Sequence, residues 1–232
     1  MNSTYNGLAI RAEKRYKAGL QFLVNYVFSK FIDDAGFQDQ YNRQLDKSLS
    51  GNDRTHNTSF SLIWDTPLGK GRKWINKGPL SQIIGGWQLS VLGMWQSGPR
   101  LGIATSVNNC NCFSAGAQRP NILGDPTLPD DQRTRLRWFD TTRFSQPAPN
   151  TFGNASRTIG TRAPGMVTHN MGIMKNFPFL DRFKLQARAE MFNAFNHTNF
   201  GGPAASFGST TFGIISSAAE AREIQLGLKL YF

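Results

Sequence analysis

Apolar side chains recur at every second position through Glu223–Phe232 (EIQLGLKLYF). Ile224, Leu226, Leu228, Leu230 and Phe232 fall on one side of an extended strand, and Gln225, Gly227, Lys229 and Tyr231 on the other, because strand side chains alternate with a period of two. A strand of about ten residues with one apolar face and a terminal aromatic is long enough to cross a thin bilayer at a tilt. The same strand, taken alone, also fits a half-buried position in a soluble sheet. The rest of the chain decides between them.

Six further segments repeat the pattern. Tyr5–Tyr16 and Leu20–Lys30 alternate around a turn at Lys17-Ala18-Gly19, where glycine supplies positive φ. Asn57–Trp64 places Thr58, Phe60, Leu62 and Trp64 together, and Gly86–Gln96 does the same for Trp87, Leu89, Val91, Gly93 and Trp95. Val167–Phe177 is less regular, and a tight turn is expected at Pro178–Asp181. Arg182–Asn193 alternates most clearly, with Phe183, Leu185, Ala187, Ala189 and Met191 opposing Lys184, Gln186, Arg188, Glu190 and Phe192. No segment approaches the roughly 18 consecutive apolar residues of a membrane helix, which excludes a helical membrane protein and leaves barrels untouched.

The connections carry as much information as the strands. Those at 17–19 and 178–181 are short and that at 65–85 intermediate, whereas those at 31–56, 97–166 and 194–221 are long and irregular. Long loops at every second position are the asymmetry of outer-membrane barrels. Tyr26, Phe28, Trp64, Trp87, Trp95, Tyr231 and Phe232 near strand ends fit interfacial aromatic girdles. The expected fold is therefore all-β, an antiparallel transmembrane barrel segment with long loops extracellular and the C-terminus periplasmic. Seven strands is an odd number, and single-chain bacterial barrels have even ones. Residues 1–232 are thus expected to be the C-terminal portion of a larger barrel. The opening residues NSTYNGLAIRAEKRY lack the basic and apolar regions of a signal peptide, so Met1 is not expected to be the natural start of the folded unit.

A set of ordered motifs makes the expectation specific. They include Asp53-Arg54-Thr55-His56, Pro67-Leu68-Gly69-Lys70-Gly71-Arg72, Gly85-Gly86-Trp87-Gln88-Leu89, Arg119-Pro120-Asn121, Trp138-Phe139-Asp140, Arg188-Ala189-Glu190-Met191-Phe192-Asn193, Asn196-His197-Thr198-Asn199-Phe200 and Leu228-Lys229-Leu230-Tyr231-Phe232. In this order and spacing the chain resembles the C-terminal barrel region of Oar-like TonB-dependent outer-membrane receptors of the carboxypeptidase-regulatory-like type. That resemblance implies a 22-stranded barrel, with a plug, an energy-coupling box that meets TonB and an N-terminal β-sandwich, none of them in residues 1–232. It also implies ligand binding and uptake across the outer membrane, adhesion or export in some members, and a barrel-assembly signal at Leu228, Leu230, Tyr231 and Phe232. β-Augmentation by the assembly machinery, with Phe232 in a pocket, is a physical route for reading that signal.

The remaining chemistry is sparse. Cys110 and Cys112 form an i,i+2 pair, awkward for a mutual disulfide because extended backbone points alternate side chains apart. An oxidising surface still permits one in a strained loop, and free thiols or metal binding are the alternatives. His56, His169 and His197 lie on separate elements beside turn-forming residues, and no nucleophile elbow, zinc-protease motif or Walker loop occurs. No enzyme activity, cofactor or metal site is expected. Asp33-Asp34 and Asp130-Asp131 read as solvated turns rather than calcium sites. Arg11, Glu13, Arg15, Lys184, Arg188 and Glu190 are expected to line the lumen in cross-strand pairs. The net charge of +11 is dispersed, with no stripe for nucleic acid; membrane lipid and lipopolysaccharide are the expected contacts. A stand-alone soluble or secreted β-sheet binding module, or a truncated non-functional fragment, are the alternative readings.

Overall fold

A computed structural model describes residues 2–39, 41–69, 72–75, 77–111, 118–179 and 183–232. Seven long strands form one sheet: β1 (Ser3–Lys17), β2 (Leu20–Asp33), β3 (His56–Asp65), β4 (Trp87–Gln96), β5 (Met166–Phe179), β6 (Phe183–Phe192) and β7 (Glu223–Tyr231). They lie in sequence order, and every adjacent pair is antiparallel. The sheet is not closed, since β1 and β7 each have one paired neighbour.

Register fixes two chemically distinct faces, because directly opposed residues share a face. One row runs Leu20, Trp64, Leu89, Ile173, Ala189, Leu226 across six strands. A second runs Ile10, Tyr26, Thr58, Trp95, Val167. The opposite face has rows such as Arg11, Asn25, Ser59, Met94, Thr168 and Gln21, Ile63, Ser90, Gly172, Glu190, Gln225. Among the described residues nothing covers most of the apolar face: Leu226 and Leu228 are 77% and 76% exposed, and Trp64, Trp87, Trp95 and Ile173 are exposed as well. On the same face Phe60 stands opposite Gly93, where a Cβ would clash with its ring, so the ring lies over the bare backbone. Tyr231 stands on the polar face opposite Lys184, with the ammonium groups of Lys184 and Lys229 at 5.5 and 4.7 Å from its ring.

All seven strands fall within a few residues of their sequence-derived limits. The β1–β2 turn needs only Ala18 and Gly19, both at positive φ, as a two-residue hairpin with matching twist requires. The turn expected at Pro178–Asp181 lies partly outside the described residues. The connection from β3 to β4 contains a six-residue helix, α1 (Pro79–Ile84), that alternation did not reveal.

At the other end of the sheet the long loops are folded rather than irregular. Leu101, Ile103, Phe139, Phe144, Ile159 and Ala163 form a buried core, joined by Ile122, Trp138, Ala205, Phe207 and Phe212. Short ladders stitch it together, Ala104–Thr105 parallel to Ser206–Phe207 and Asn121–Ile122 antiparallel to Phe144–Ser145. The loops between β4 and β5 and between β6 and β7 therefore make one compact cap. The β1–β2 hairpin rises beyond β3, whose pairing with β2 stops at Phe28–His56. Its five further residues on β2 extend about 17 Å at the usual strand rise. The loop after β2 folds back on this extension through Ser48–Leu49.

Candidate functional site

The cap is fastened to the sheet by arginines of one loop and aspartates of another. Asp33, at the upper end of β2 on its polar face, accepts from Arg157 Nη2, and Arg157 Nε also donates to the Asp46 carbonyl at 3.1 Å. Arg119 pairs with Asp46, which is fully buried, while its backbone N–H and Nε reach Gln38 Oε1 at 2.8 and 3.2 Å. Arg162 pairs with Asp53 and donates to the Gly98 carbonyl at 2.8 Å. Asp53 also accepts the backbone N–H of Phe31 at 2.8 Å. Burial works against the Asp53 carboxylate, but hydrogen bonds from Arg162, Phe31 and Thr55 and the Arg162 charge outweigh it. Its pKa lies below the ordinary carboxylate range.

Asp33 and Asp34 are thus not solvated: both are buried, and Asp34 pairs with Arg43 at 2.5 Å. The sequence reading missed this seam although it singled out two of its parts, the Asp53-Arg54-Thr55-His56 and Arg119-Pro120-Asn121 segments. The available signal was charge complementarity, with aspartates concentrated in 33–53 and arginines in 100–162.

Beneath the cap the polar face holds a recess of about 290 Å³ lined by Leu23, Asn25, Ser59, Ser61, Leu92, Met94, Thr168 and Asn170. A second, about 380 Å³, shares Thr168 and Asn170 and continues upward along Asn193, Asn199, Glu220 and Glu223. Asn199 is held in place as a surrogate backbone, accepting from Val167 N at 2.7 Å and donating to Val167 O at 2.8 Å. Asn193 and Asn196 adopt positive φ, which asparagine tolerates better than most residues. Amide, hydroxyl and carboxylate groups beside Leu23, Leu92 and Met94 suit a ligand with both hydrogen-bonding and apolar surface. Among the described residues no group of His, Cys, Asp or Glu is arranged to hold a metal.

A model of the outer membrane beta barrel domain matches residues 1–225. The chain belongs to that family. The barrel domain accordingly turns its uncovered apolar face to lipid and belongs to the outer membrane. Comparison with curated proteins and with solved structures gives no match.

Within the barrel domain the predicted residues fall in separate places. Leu228 and Leu230 lie on the lipid face of β7, Tyr231 on the polar face, and Phe232 is 94% exposed beside the unpaired edge. Arg11 and Glu13 pair at 2.7 Å and Arg188 and Glu190 at 3.6 Å, each along one strand rather than across strands. The i,i+2 spacing puts both partners on one face, whereas opposite Arg11 the register offers Asn25 and opposite Arg188 it offers Gly227. His56 and His169 join aromatic clusters on the lipid face, His56 with Tyr26 and Phe28, His169 with Trp95 and Phe195. Cys110 is buried in the cap, where Asn108 Oδ1 accepts its backbone N–H at 3.1 Å. Cys112 lies outside the described residues.

Proposed function

We propose that this chain is the C-terminal wall of a TonB-dependent, Oar-like receptor barrel, closed by strands from sequence beyond residues 1–232. It is a binding and transport component, not an enzyme. The folded loops face the cell exterior and meet ligand and lipopolysaccharide, and the C-terminus is periplasmic. Ligand enters through the recess around Thr168 and Asn170. Leu23, Leu92 and Met94 offer a plug domain apolar footing on an otherwise polar wall, and TonB engages parts outside this chain. The assembly machinery reads Leu228, Leu230, Tyr231 and Phe232 on the unpaired edge of β7. Cys110 and Cys112 form a disulfide in the oxidising exterior.

The observation that carries this reading is the coincidence of parity with folding. All three long connections gather at one end and share a buried core or ion pairs, while the other end has a two-residue turn and the α1 segment. The test is an immunoblot of the source bacterium's outer-membrane fraction with antibody against residues 183–232. A heat-modifiable band far above 25.8 kDa is the expected result. A band of that mass confined to the soluble fraction overturns the proposal in favour of a soluble module.

A further inference from the structure

Lys175 is a charged residue on the lipid face near the short-turn end of the sheet, and its bonds bring α1 onto that face. It stands opposite Trp87 on β4 and Ala187 on β6, yet is only 5% exposed. Its Nζ donates to the carbonyls of Gln82 at 2.9 Å, Gly85 at 3.0 Å and Ile83, at the C-terminus of α1. The rings of Trp87 and Phe177 flank it at 4.8 and 5.1 Å. Trp87 Nε1 donates to the Ile83 carbonyl as well, at 3.2 Å. A cation at a helix C-terminus satisfies carbonyls that the helix itself leaves open. These bonds hold α1 against the lipid side of the sheet, not the lumen side.

What α1 and the segment before it leave uncovered is apolar and basic. Leu80 and Ile83 on the helix are 54% and 66% exposed, and Trp74 and Ile75 are exposed too. Between Thr66 and Gly86 there are basic residues and no acidic one. Arg72 is engaged by Asp65 at 3.4 Å, Lys73 lies over the Trp74 ring at 5.6 Å, and Lys77 is exposed. Exposed aliphatic and indole groups interleaved with lysine are the composition of segments that lie in a membrane interface. Through the Trp87–Ile83 bond the helix adjoins the lipid-facing Trp87.

We propose that residues 72–75 and 77–84 form an interfacial anchor whose partner is the anionic phospholipid of the leaflet at the short-turn end. Leu80 and Ile83 enter the acyl-chain boundary, while Lys73 and Lys77 meet phosphate headgroups. This rests on the orientation given under Proposed function, which puts that end at the phospholipid leaflet rather than the lipopolysaccharide one.

Site-directed spin labels test it on the full protein in its membrane, in a Cys110→Ser/Cys112→Ser background that retains heat-modifiable migration. Labels at Leu80→Cys, Ile83→Cys and, as a lipid-face reference, Leu226→Cys are compared for collision with oxygen and with a water-soluble nickel chelate. All three are expected to favour oxygen. If Leu226→Cys favours oxygen while both α1 labels favour nickel, the anchor is wrong and the barrel reading stands. If Leu226→Cys itself favours nickel, the barrel reading falls and takes the anchor with it. Reaction of Lys77→Cys with an impermeant maleimide on intact cells overturns the orientation and the phospholipid partner together. In reconstituted vesicles, phosphatidylglycerol is expected to deepen the Ile83→Cys label relative to phosphatidylethanolamine alone. Each lysine contributes about fivefold to interfacial partitioning, so Lys73→Gln/Lys77→Gln should abolish the difference. An unchanged difference overturns the anionic partner.

Discussion

At the residue scale the account turns on the arginine–aspartate seam. Arg162 reaches Asp53, Thr55 and Gly98 at once, so Arg162→Ala strips several bonds and leaves the fully buried Asp53 carboxyl without its cation. Removing one partner of a buried pair should destabilise the cap by about 3 kcal/mol, read as faster limited proteolysis of the 97–165 loop with β-sheet content intact. The pH dependence follows the same residue. Because the folded pKa of Asp53 is lowered, its contribution is fully present above the unfolded value of about 3.9 and is lost as pH falls through the lower folded value. Cap cleavage by an acid-active protease should therefore rise as pH drops below about 4, and Asp53→Asn should flatten that rise. Gly98 gives an independent check: a Cβ there would lie 1.7 Å from the Ala163 carbonyl, so Gly98→Ala should loosen the cap as Arg162→Ala does. Little of this was legible beforehand. Asp33 and Asp34 look like any polar pair until Arg157 and Arg43 are placed beside them, and Arg157 is over a hundred positions away in sequence.

At the element scale the strands were legible because register and alternation are the same information. A sheet with one lipid face cannot shift by a residue without exchanging both faces, so Phe183 to Met191 reads correctly from sequence alone. α1 was not legible: six residues hold less than two helical turns, too few for a 3.6-residue period. The group that caps its C-terminal carbonyls is Lys175, on a strand some ninety residues later. Lys175→Met should free the carbonyls of Gln82, Ile83 and Gly85 and make 79–84 exchange amide hydrogens faster while β4 and β5 stay protected. The cap escaped for a related reason. Its core joins Ile103 to Phe139 and Phe207, and no local period encodes a cluster assembled from two loops. At the other end of the chain, deleting Phe232 removes the most exposed aromatic among the described residues without touching any ladder bond of β7. The expected outcome is a several-fold fall in assembled protein in the outer membrane with no change in the melting of what does assemble.

At the scale of the whole molecule, an open seven-stranded sheet with two free edges is a wall, not a container. Unpaired backbone edges in hydrocarbon are costly enough that β1 and β7 must find partners in the membrane. The polar face needs water or a plug against it, and the apolar face needs lipid. The folded cap and α1 mark the two surfaces between which that wall spans. All of this depends on the two faces of the sheet meeting different solvents. The most direct test is a single-cysteine scan of Phe183–Phe192 in the native membrane, with a water-soluble maleimide competing against a lipid-phase one. The account predicts strict alternation, Phe183, Leu185, Ala187, Ala189 and Met191 reacting from lipid and Lys184, Gln186, Arg188 and Glu190 from water. Uniform reaction from water along the whole strand would contradict it.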